Sequence, residues 1–555
     1  MLAIAGVAVM AAPAQAADYT ITIHNSAAGY TYQAYQVFAG GLTSDSGDDI
    51  LTDITWGDGV NGETLLPALQ ADDTIGSYFV DCTTAAQAAQ ALEGFGDDSE
   101  NLDAFAKLVG KNLGTPAGTS SYETGGGPAK YTISGLDSGY YLIQSTQVPE
   151  MGTHTKYMLQ IVKSIEVTPK ATDVPTVEKK VYEAEKYSQD GGYGQGYNDV
   201  ADYDIGDTVS FKLIGSVPDM SAYDSYAYAF HDTMSAGLAL DEESIRVYLT
   251  TAKNQELDAP LDAGSYSVST QSLDDGCTFE LSFSDLKQVA GIGEASYVVV
   301  TFNATLTSDA VIGLDGNSNE AYLSFSNNPY AEETGKTPKD AAVVFTYALD
   351  ASKVDADQAQ TKLEGAEFVL FNEAKTHVAK VEASTGTLQG WVALTEIAPG
   401  ANESTITYEQ LAGYSTGPDS AIILRSAQTT GQFSVSGLDD STYSLREIKA
   451  PAAYNLLTQD VAVTLTATTA NGQAWDDLVA ANALTKLQVQ VGDSPAAEGN
   501  ISDGTVSITV ENKKGTPLPE TGGMGTTLFY AAGGTLAAVA GGLLIVHKRR
   551  SAKGR

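Results

Sequence analysis

The sequence predicts a mostly β protein of three tandem domains, with short helices in the first domain and one membrane-spanning helix at the C-terminus. Three observations carry that prediction. Alternating runs such as Tyr19-Thr20-Ile21-Thr22-Ile23 and Tyr297-Val298-Val299-Val300-Thr301-Phe302 recur between Gly, Asp and Asn turns, and a period of two marks strands with one buried face. Residues 131–149, YTISGLDSGYYLIQSTQVP, align without gaps on 433–451, FSVSGLDDSTYSLREIKAP, so the first and last domains share a strand, a turn and a strand. The stretch from Thr527 to Val546 is apolar and runs into His547-Lys548-Arg549-Arg550. About 20 apolar residues cross a hydrocarbon core as a helix, and the basic tail stays on the cytoplasmic side.

Taken in order, Leu2 to Ala12 is an apolar run followed by Pro13-Ala14-Gln15-Ala16, the small-x-small pattern of a signal peptidase site, so residues 1–17 read as a signal peptide cleaved near Ala16 or Ala17. No basic segment precedes the run, which points to a start codon placed too late. Two helices are expected in the first domain: the Ala-rich stretch from Thr83 to Leu92, and a face formed by Leu102, Phe105, Leu108 and Val109. Linkers around Thr168–Pro175 and Thr337–Asp340 divide the mature chain into domains at 18–170, 171–340 and 341–515. Each is long enough to bury its own core. Residues 518–555 form the C-terminal segment with the membrane helix.

There are 70 acidic and 30 basic residues, a net charge of -40. That balance argues against nucleic acid and anionic membrane surfaces and favours a soluble, self-repelling exterior. Any filament must be held by something stronger than charge attraction. The two cysteines, Cys82 and Cys277, lie far apart in sequence and are expected as free thiols. Gly413-Tyr414-Ser415-Thr416-Gly417 matches a nucleophile-elbow pattern, but Pro418 and the strand-like 421–424 follow it, and the only later histidine is His547 in the tail. His24, His154, His231 and His377 form no HExxH or clustered metal pattern. The sequence therefore predicts neither an enzyme, nor a cofactor, nor a metal site.

Charged and amide side chains interrupt apolar strand faces in two ordered sets. In the middle domain Val177, Lys179 and Val181 share a face, as do Tyr228, Phe230 and Asp232, and then Leu323, Phe325 and Asn327. In the last domain the rows are Phe345, Tyr347, Leu349, Ala351 and Lys353; Tyr443, Leu445 and Glu447; and Val506, Ile508, Val510 and Asn512. A single lysine of this kind reads as a snorkelling stem; two ordered sets read as chemistry. Burial lowers a lysine pKa and raises that of an acid, so a proton passes between them. The free amine can then attack an asparagine carboxamide under the protonated acid, expelling ammonia and leaving a neutral buried isopeptide. No cofactor is needed. Lys180 and Asn328 are the off-by-one alternatives, which alternation disfavours.

Leu518, Pro519, Glu520, Thr521 and Gly522 spell LPETG ahead of the apolar span and basic tail. That order resembles the cell-wall sorting signal of Gram-positive surface proteins, in which a sortase cysteine attacks the Thr521 carbonyl, releases Gly522 onward and passes the acyl group to an amine. YSLREIKAPAAY (443–454) is similar to the pilin E-box, and FHDTM (230–234), EAYLSFSNNP (320–329) and VENKKGTPLPETGG (510–523) are similar to further pilin segments. Over nearly the whole mature chain the resemblance is to Gram-positive sortase-assembled backbone pilins, with an LPXTG anchor and isopeptide-forming, immunoglobulin-like β-sandwich domains of the collagen-adhesin B type.

The resemblance implies that Lys179 joins Asn327 under Asp232 and that Lys353 joins Asn512 under Glu447. Tension would then pass through covalent atoms between each domain's first and last strands. In the first domain Ser145 stands where Glu447 stands, and no isopeptide is expected there. IEVTPK (165–170) resembles the end of the pilin motif, with Thr168 in place of the usual aromatic residue, and implies that Lys170 receives Thr521 of the next subunit; Lys163 and Lys156 are lesser candidates. Such head-to-tail contacts grow open filaments. The implied protein is a pilus (fimbria) subunit on the cell wall. Its implied partners are other copies of itself, pilus-type and housekeeping sortases, peptidoglycan, minor pilins and host surface ligands, with no nucleic acid. The alternative is a wall-anchored adhesin or minor pilin that binds a host ligand without forming the shaft.

Overall fold

The computed structural model describes residues 19–551 apart from 46–47, 97–98, 126, 156, 163, 170–173, 184–189, 294–295, 470–474, 476, 517 and 519–524. The first domain is a two-sheet sandwich. One sheet runs Ser121–Glu123, Lys130–Leu136, Tyr19–Ile23, Ile165–Val167; the other runs Asp48–Trp56, Thr31–Asp45, Gly139–Gln147, Met158–Val162. Ile21, Ile23, Tyr32, Ala34, Tyr131 and Tyr141 fill the space between them. The opposite face of the Thr31–Asp45 strand, through Tyr35 and Val37, packs under a helical cap. The expected helices are present as Ala85–Ala91, begun by a Thr84/Gln87 capping box, and Glu100–Lys111, capped by Ser99. A third, Gly62–Ala71, is capped by Asn61 and carries Pro67.

The internal repeat folds alike in both places. Lys130–Leu136 and Gly139–Gln147 lie in opposite sheets, as do Gln432–Leu438 and Thr442–Lys449, so each turn crosses its sandwich. The crossing needs left-handed backbone at Gly135 (φ 78°) and its equivalent Gly437 (φ 91°). Each turn is tied by a tyrosine: the Tyr141 hydroxyl donates to the Asp137 carbonyl at 3.0 Å and the Tyr443 hydroxyl to the Asp439 carbonyl at 3.1 Å.

In the middle domain one sheet places Val177–Tyr182 beside Thr208–Ser216, Tyr297–Leu306 and Leu238–Thr250; the facing sheet contains Asp340–Phe345, Asn317–Ser326, Tyr228–Met234 and Phe279–Phe283. In the last domain Tyr347–Asp355 sits between Gln432–Leu438 and Thr505–Asn512, facing a larger sheet built around Glu367–Phe371 and Thr442–Lys449. Asp340–Phe345 pairs with Val200–Asp202 and Asn317–Ser326, so it belongs to the middle domain. The chain therefore changes domain at Thr346, not at the Pro338 linker, because the apolar run 341–345 completes the earlier sheet. Buried side chains run without a break from the middle domain into the last. Beyond the domains, Gly525–Ser551 is one helix whose Leu528–Arg549 part has the length and mean hydropathy (1.8) to cross a membrane and is unburied by the rest of the protein.

Candidate functional site

The last-domain cluster is assembled by two parallel strands and one facing strand. Tyr347–Asp355 and Thr505–Asn512 pair in parallel with Lys353 opposite Val510 and Asp355 opposite Asn512, so Lys353 and Asn512 are staggered neighbours on the core-facing side. Glu447 descends from the other sheet. Lys353, Glu447 and Asn512 are 0%, 3% and 1% exposed. The Lys353 ammonium donates to Asn512 Oδ1 and to the Val510 carbonyl at 3.3 Å, and lies 3.5 Å from Glu447 Oε1. Asn512 Nδ2 donates to both Glu447 oxygens at 2.9 Å and to the Asn455 carbonyl at 2.9 Å. Burial pulls the Lys353 pKa below its usual range, and Glu447 opposes the shift. The Asn512 amide is thus held between the amine at its oxygen and the carboxylate at its nitrogen.

In the middle domain the lysine and the amide come from facing sheets. Lys179, core-facing in Val177–Tyr182, reaches across the sandwich to donate to Asp232 Oδ2, and both residues are 0% exposed. Burial lowers the lysine and raises the acid, each opposed by the other's charge, which favours proton transfer within the pair. The amide beside them is Asn319. In the antiparallel pairing of Tyr228–Met234 with Asn317–Ser326, Asp232 faces Ala321 and Met234 faces Asn319, so Asn319 is one core-facing step from Asp232. It is 0% exposed, lies against the Asp232 carboxyl, and neither its Oδ1 nor its Nδ2 makes a well-formed hydrogen bond. The Val177–Tyr182 strand packs against this same strand.

Asn327, expected as the partner of Lys179, lies elsewhere. It falls just past the end of the strand, six residues beyond the position facing Asp232 (327 − 321), or roughly 20 Å at the strand rise. Its Nδ2 donates to the Gly152 carbonyl at 3.3 Å and its own carbonyl accepts from His154 N–H at 2.7 Å. Asn327 thus clasps the first domain to the second, beside the stacked rings of Tyr157 and Tyr330 (centroids 3.5 Å apart). The reason for the displacement is register: all odd positions from 317 to 327 share a face, and alternation alone does not say which of them lies at the depth of Lys179. The off-by-one alternatives are engaged elsewhere, Lys180 with Asp199 and Asn328 with Glu333.

In the first domain Ser145 is buried and its Oγ accepts from Thr155 N–H at 3.0 Å; among the described residues that domain buries no lysine. Leu518 is 84% exposed, while Lys170, Lys163, Lys156, Pro519, Glu520, Thr521 and Gly522 lie outside the described residues. Cys82 and Cys277 are buried free thiols. The helix Tyr408–Gly413 precedes the Ser415 motif rather than following it, unlike a nucleophile elbow.

Residues 205–329 match the family model of the Gram-positive pilin backbone subunit 2, Cna-B-like domain, and residues 348–477 that of a prealbumin-like fold domain. The trypsin-resistant surface T6 protein of Streptococcus pyogenes serotype M6 is 25% identical over 282 residues, 45% of this chain and 48% of that protein; the chain matches about half the length of that relative. Among solved structures, the T6 backbone pilin of serotype M6 Streptococcus pyogenes superposes with a TM-score of 0.51 at 16% identity, covering 91% of this chain and 100% of the other. The full-length major pilin SpaD of Corynebacterium diphtheriae aligns over 90% and 98% at 16% identity, with a TM-score of 0.45.

Proposed function

We propose that this chain, which carries the domains of the Gram-positive backbone pilins, is the shaft subunit of a covalent surface pilus. Two of its domains are closed by internal isopeptide bonds, Lys353 to Asn512 under Glu447 and Lys179 to Asn319 under Asp232. In each, the ammonium gives a proton to the carboxylate and the amine nitrogen bonds to the asparagine Cγ. The amide nitrogen takes up protons through the acid and leaves as ammonia. Charge, atoms and electrons balance without a co-reactant. The observation that carries the reading is the buried Lys353, Asn512 and Glu447 arrangement, with the amide held between amine and acid.

Assembly rests on the sorting motif near the C-terminus and on Lys170 at the junction of the first two domains. A pilus-type sortase cleaves after Thr521 and joins it to Lys170 of the next copy; a housekeeping sortase joins the last subunit to peptidoglycan, and the helix Gly525–Ser551 holds the precursor at the membrane until then. Minor pilins and host ligands would meet the finished shaft. Two measurements test this. The intact mass of the purified chain should fall short of its sequence mass by two ammonia molecules, and a mass equal to the sequence would reject both cross-links. Replacing Lys170 with alanine should remove the high-mass ladder of wall extracts in denaturing electrophoresis; a ladder that persists rejects Lys170 as the acceptor.

A further inference from the structure

The middle domain carries a second cluster on the strand that holds Asp232, facing the opposite way. His231 projects from the outer face of Tyr228–Met234, directly across from Glu280 on one neighbour strand and from Tyr322 on the other. The Asp275 and Cys277 side chains fold back over it from the turn leading into Phe279–Phe283. One ligand atom from each of His231, Asp275 and Cys277 lies within 4.8 Å of the others. His231 Nδ1 is 2.9 Å from Asp275 Oδ2 and 3.8 Å from Glu280 Oε2.

Around these groups stands the outer support that metal ligands need. His231 Nε2 is 2.9 Å from Ser324 Oγ, so the ring can donate there and leave Nδ1 as a lone pair. The imidazole lies flat on Tyr322, with centroids 4.4 Å apart and planes 3° from parallel. The Tyr322 hydroxyl donates to Asp275 Oδ2 at 2.6 Å, and Cys277 N–H donates to Asp275 Oδ1 at 3.2 Å. His231 Nδ1 is enclosed and turned toward these carboxylates rather than toward solvent: its 2.9 Å contact with Asp275 Oδ2 is a charge contact without the alignment of a hydrogen bond, so the nitrogen and the carboxylate oxygen converge as two donors on one point.

We propose that His231 Nδ1, Asp275 Oδ2 and Cys277 Sγ, with Glu280 in reach of the fourth position, form a site for a zinc-class divalent ion on the outer face of the middle domain. One nitrogen, one sulfur and carboxylate oxygens are the donor set of tetrahedral zinc; calcium and magnesium take oxygen alone. Binding releases the thiol proton, and the imidazole coordinates as the neutral tautomer. The ion would pin the 275–277 turn to the strand behind which Asp232 works.

The test uses the full chain in detergent, stripped with a chelator and titrated with Zn²⁺ by calorimetry. One saturable site is expected, lost in Cys277→Ser and His231→Ala, and weakened about tenfold in Tyr322→Phe, which keeps the ring but removes its hydroxyl from Asp275. On the unmodified chain Zn²⁺ should slow alkylation of Cys277 and leave Cys82 unaffected, a readout that needs no variant to fold. Absence of saturable binding to the unmodified chain overturns the proposal, as does binding undiminished by Cys277→Ser, equal binding of Ca²⁺, or alkylation of Cys277 indifferent to Zn²⁺.

Discussion

The middle and last domains bury the same three kinds of side chain but reach them by different routes. In the last domain lysine and asparagine sit on adjacent parallel strands of one sheet, and the acid comes from the other sheet. In the middle domain the lysine stands alone on one sheet, and acid and amide are antiparallel neighbours on the facing one. A Lys353–Asn512 bond therefore staples the first strand to the last within a sheet. A Lys179–Asn319 bond instead rivets two sheets together across the core. The chemistry asks only for an amine, an amide and an acid in a dry pocket; the sandwich offers two geometries that provide it.

The largest effect should come from removing either amide. Loop-entropy arithmetic for cross-links spanning 140 residues (319 − 179) and 159 residues (512 − 353) gives about 5 kcal/mol each. Asn319→Ala and Asn512→Ala should lower stability to chemical denaturation by comparable amounts, and each should restore the mass of one ammonia. A chain with Asn319→Ala that still lacks two ammonia molecules would break the comparison at its weakest point.

Geometry would make the two proposed cross-links unequal under tension. With both in place, force entering at Lys170 would meet Lys179 and cross to Asn319, then pass through 34 residues (353 − 319) before Lys353 handed it to Asn512. That stretch contains Asp340–Phe345 and the start of Tyr347–Asp355, held by strand pairing and core packing rather than by a covalent tie. Single-molecule pulling from Lys170 to the C-terminus should show one short extension of up to about 100 Å and no unfolding of 180–318 or 354–511. On that proposed path the first domain would hang outside the line of force, which would explain why Ser145 can replace the acid. Were Asn327 the partner, the extension would be shorter by the eight residues from 319 to 327.

The acids can be compared through pH. The reactive pair, free amine and protonated acid, has the same proton count as the ion pair, so cross-linking during refolding should peak between the pair's two apparent pKa values and slow on either side. In Asp232→Ala the lysine has no internal base. Its residual reaction should be far slower at neutral pH and should rise with pH, because burial already holds the amine below its ordinary range. Following ammonia loss by mass after refolding distinguishes the two profiles; a variant that reacts as fast and with the same profile as the unmodified chain would remove Asp232 from the mechanism.

How much of this was legible in sequence follows from what each signal measures. Alternation correctly put Lys179, Asp232, Lys353, Glu447 and Asn512 on buried faces, since a period of two fixes the face. The 131–149 and 433–451 repeat carried its glycine, its tyrosine and the Ser145 exchange into equivalent places. Position along a strand is another matter, because it depends on which residues pair. Asn512 ends the last strand of its domain, and in the middle domain the resemblance implies Asn327, which shares its face with Leu323 and Phe325. Only the register of Asp232 opposite Ala321 reveals Asn319. The Thr346 boundary escaped for a similar reason: Pro338 marks a turn, but the strand after it completes the earlier sheet. His231, Asp275 and Cys277 were invisible as a set because 44 residues of sequence separate His231 from Asp275 (275 − 231) while the sheet closes them to within 4.8 Å.

Smaller effects separate the tyrosine corners. Tyr443 donates to the Asp439 carbonyl and also meets Asp204 Oδ1 of the middle domain at 3.0 Å, whereas among the described residues the Tyr141 hydroxyl bonds only its own turn. At about 1 kcal/mol for each buried hydrogen bond, Tyr443→Phe should cost roughly twice what Tyr141→Phe costs in thermal unfolding. Equal losses would mean that Asp204 is satisfied by its other donors, Trp391 Nε1 and Asp439 N–H.

The smallest expected effect is also the sharpest check on the reassignment. Asn327→Ala removes one side-chain hydrogen bond, to the Gly152 carbonyl, and leaves the main-chain link to His154 and the Tyr157–Tyr330 stack in place. It should cost no more than about 1 kcal/mol, leave both ammonia losses intact in the mass, and raise protease sensitivity only at the junction between the first two domains. A residue that closed the middle domain covalently would instead cost several times as much and would add an ammonia back. The two outcomes differ in kind as well as in size, because a clasp between domains and a bond within one fail in different places.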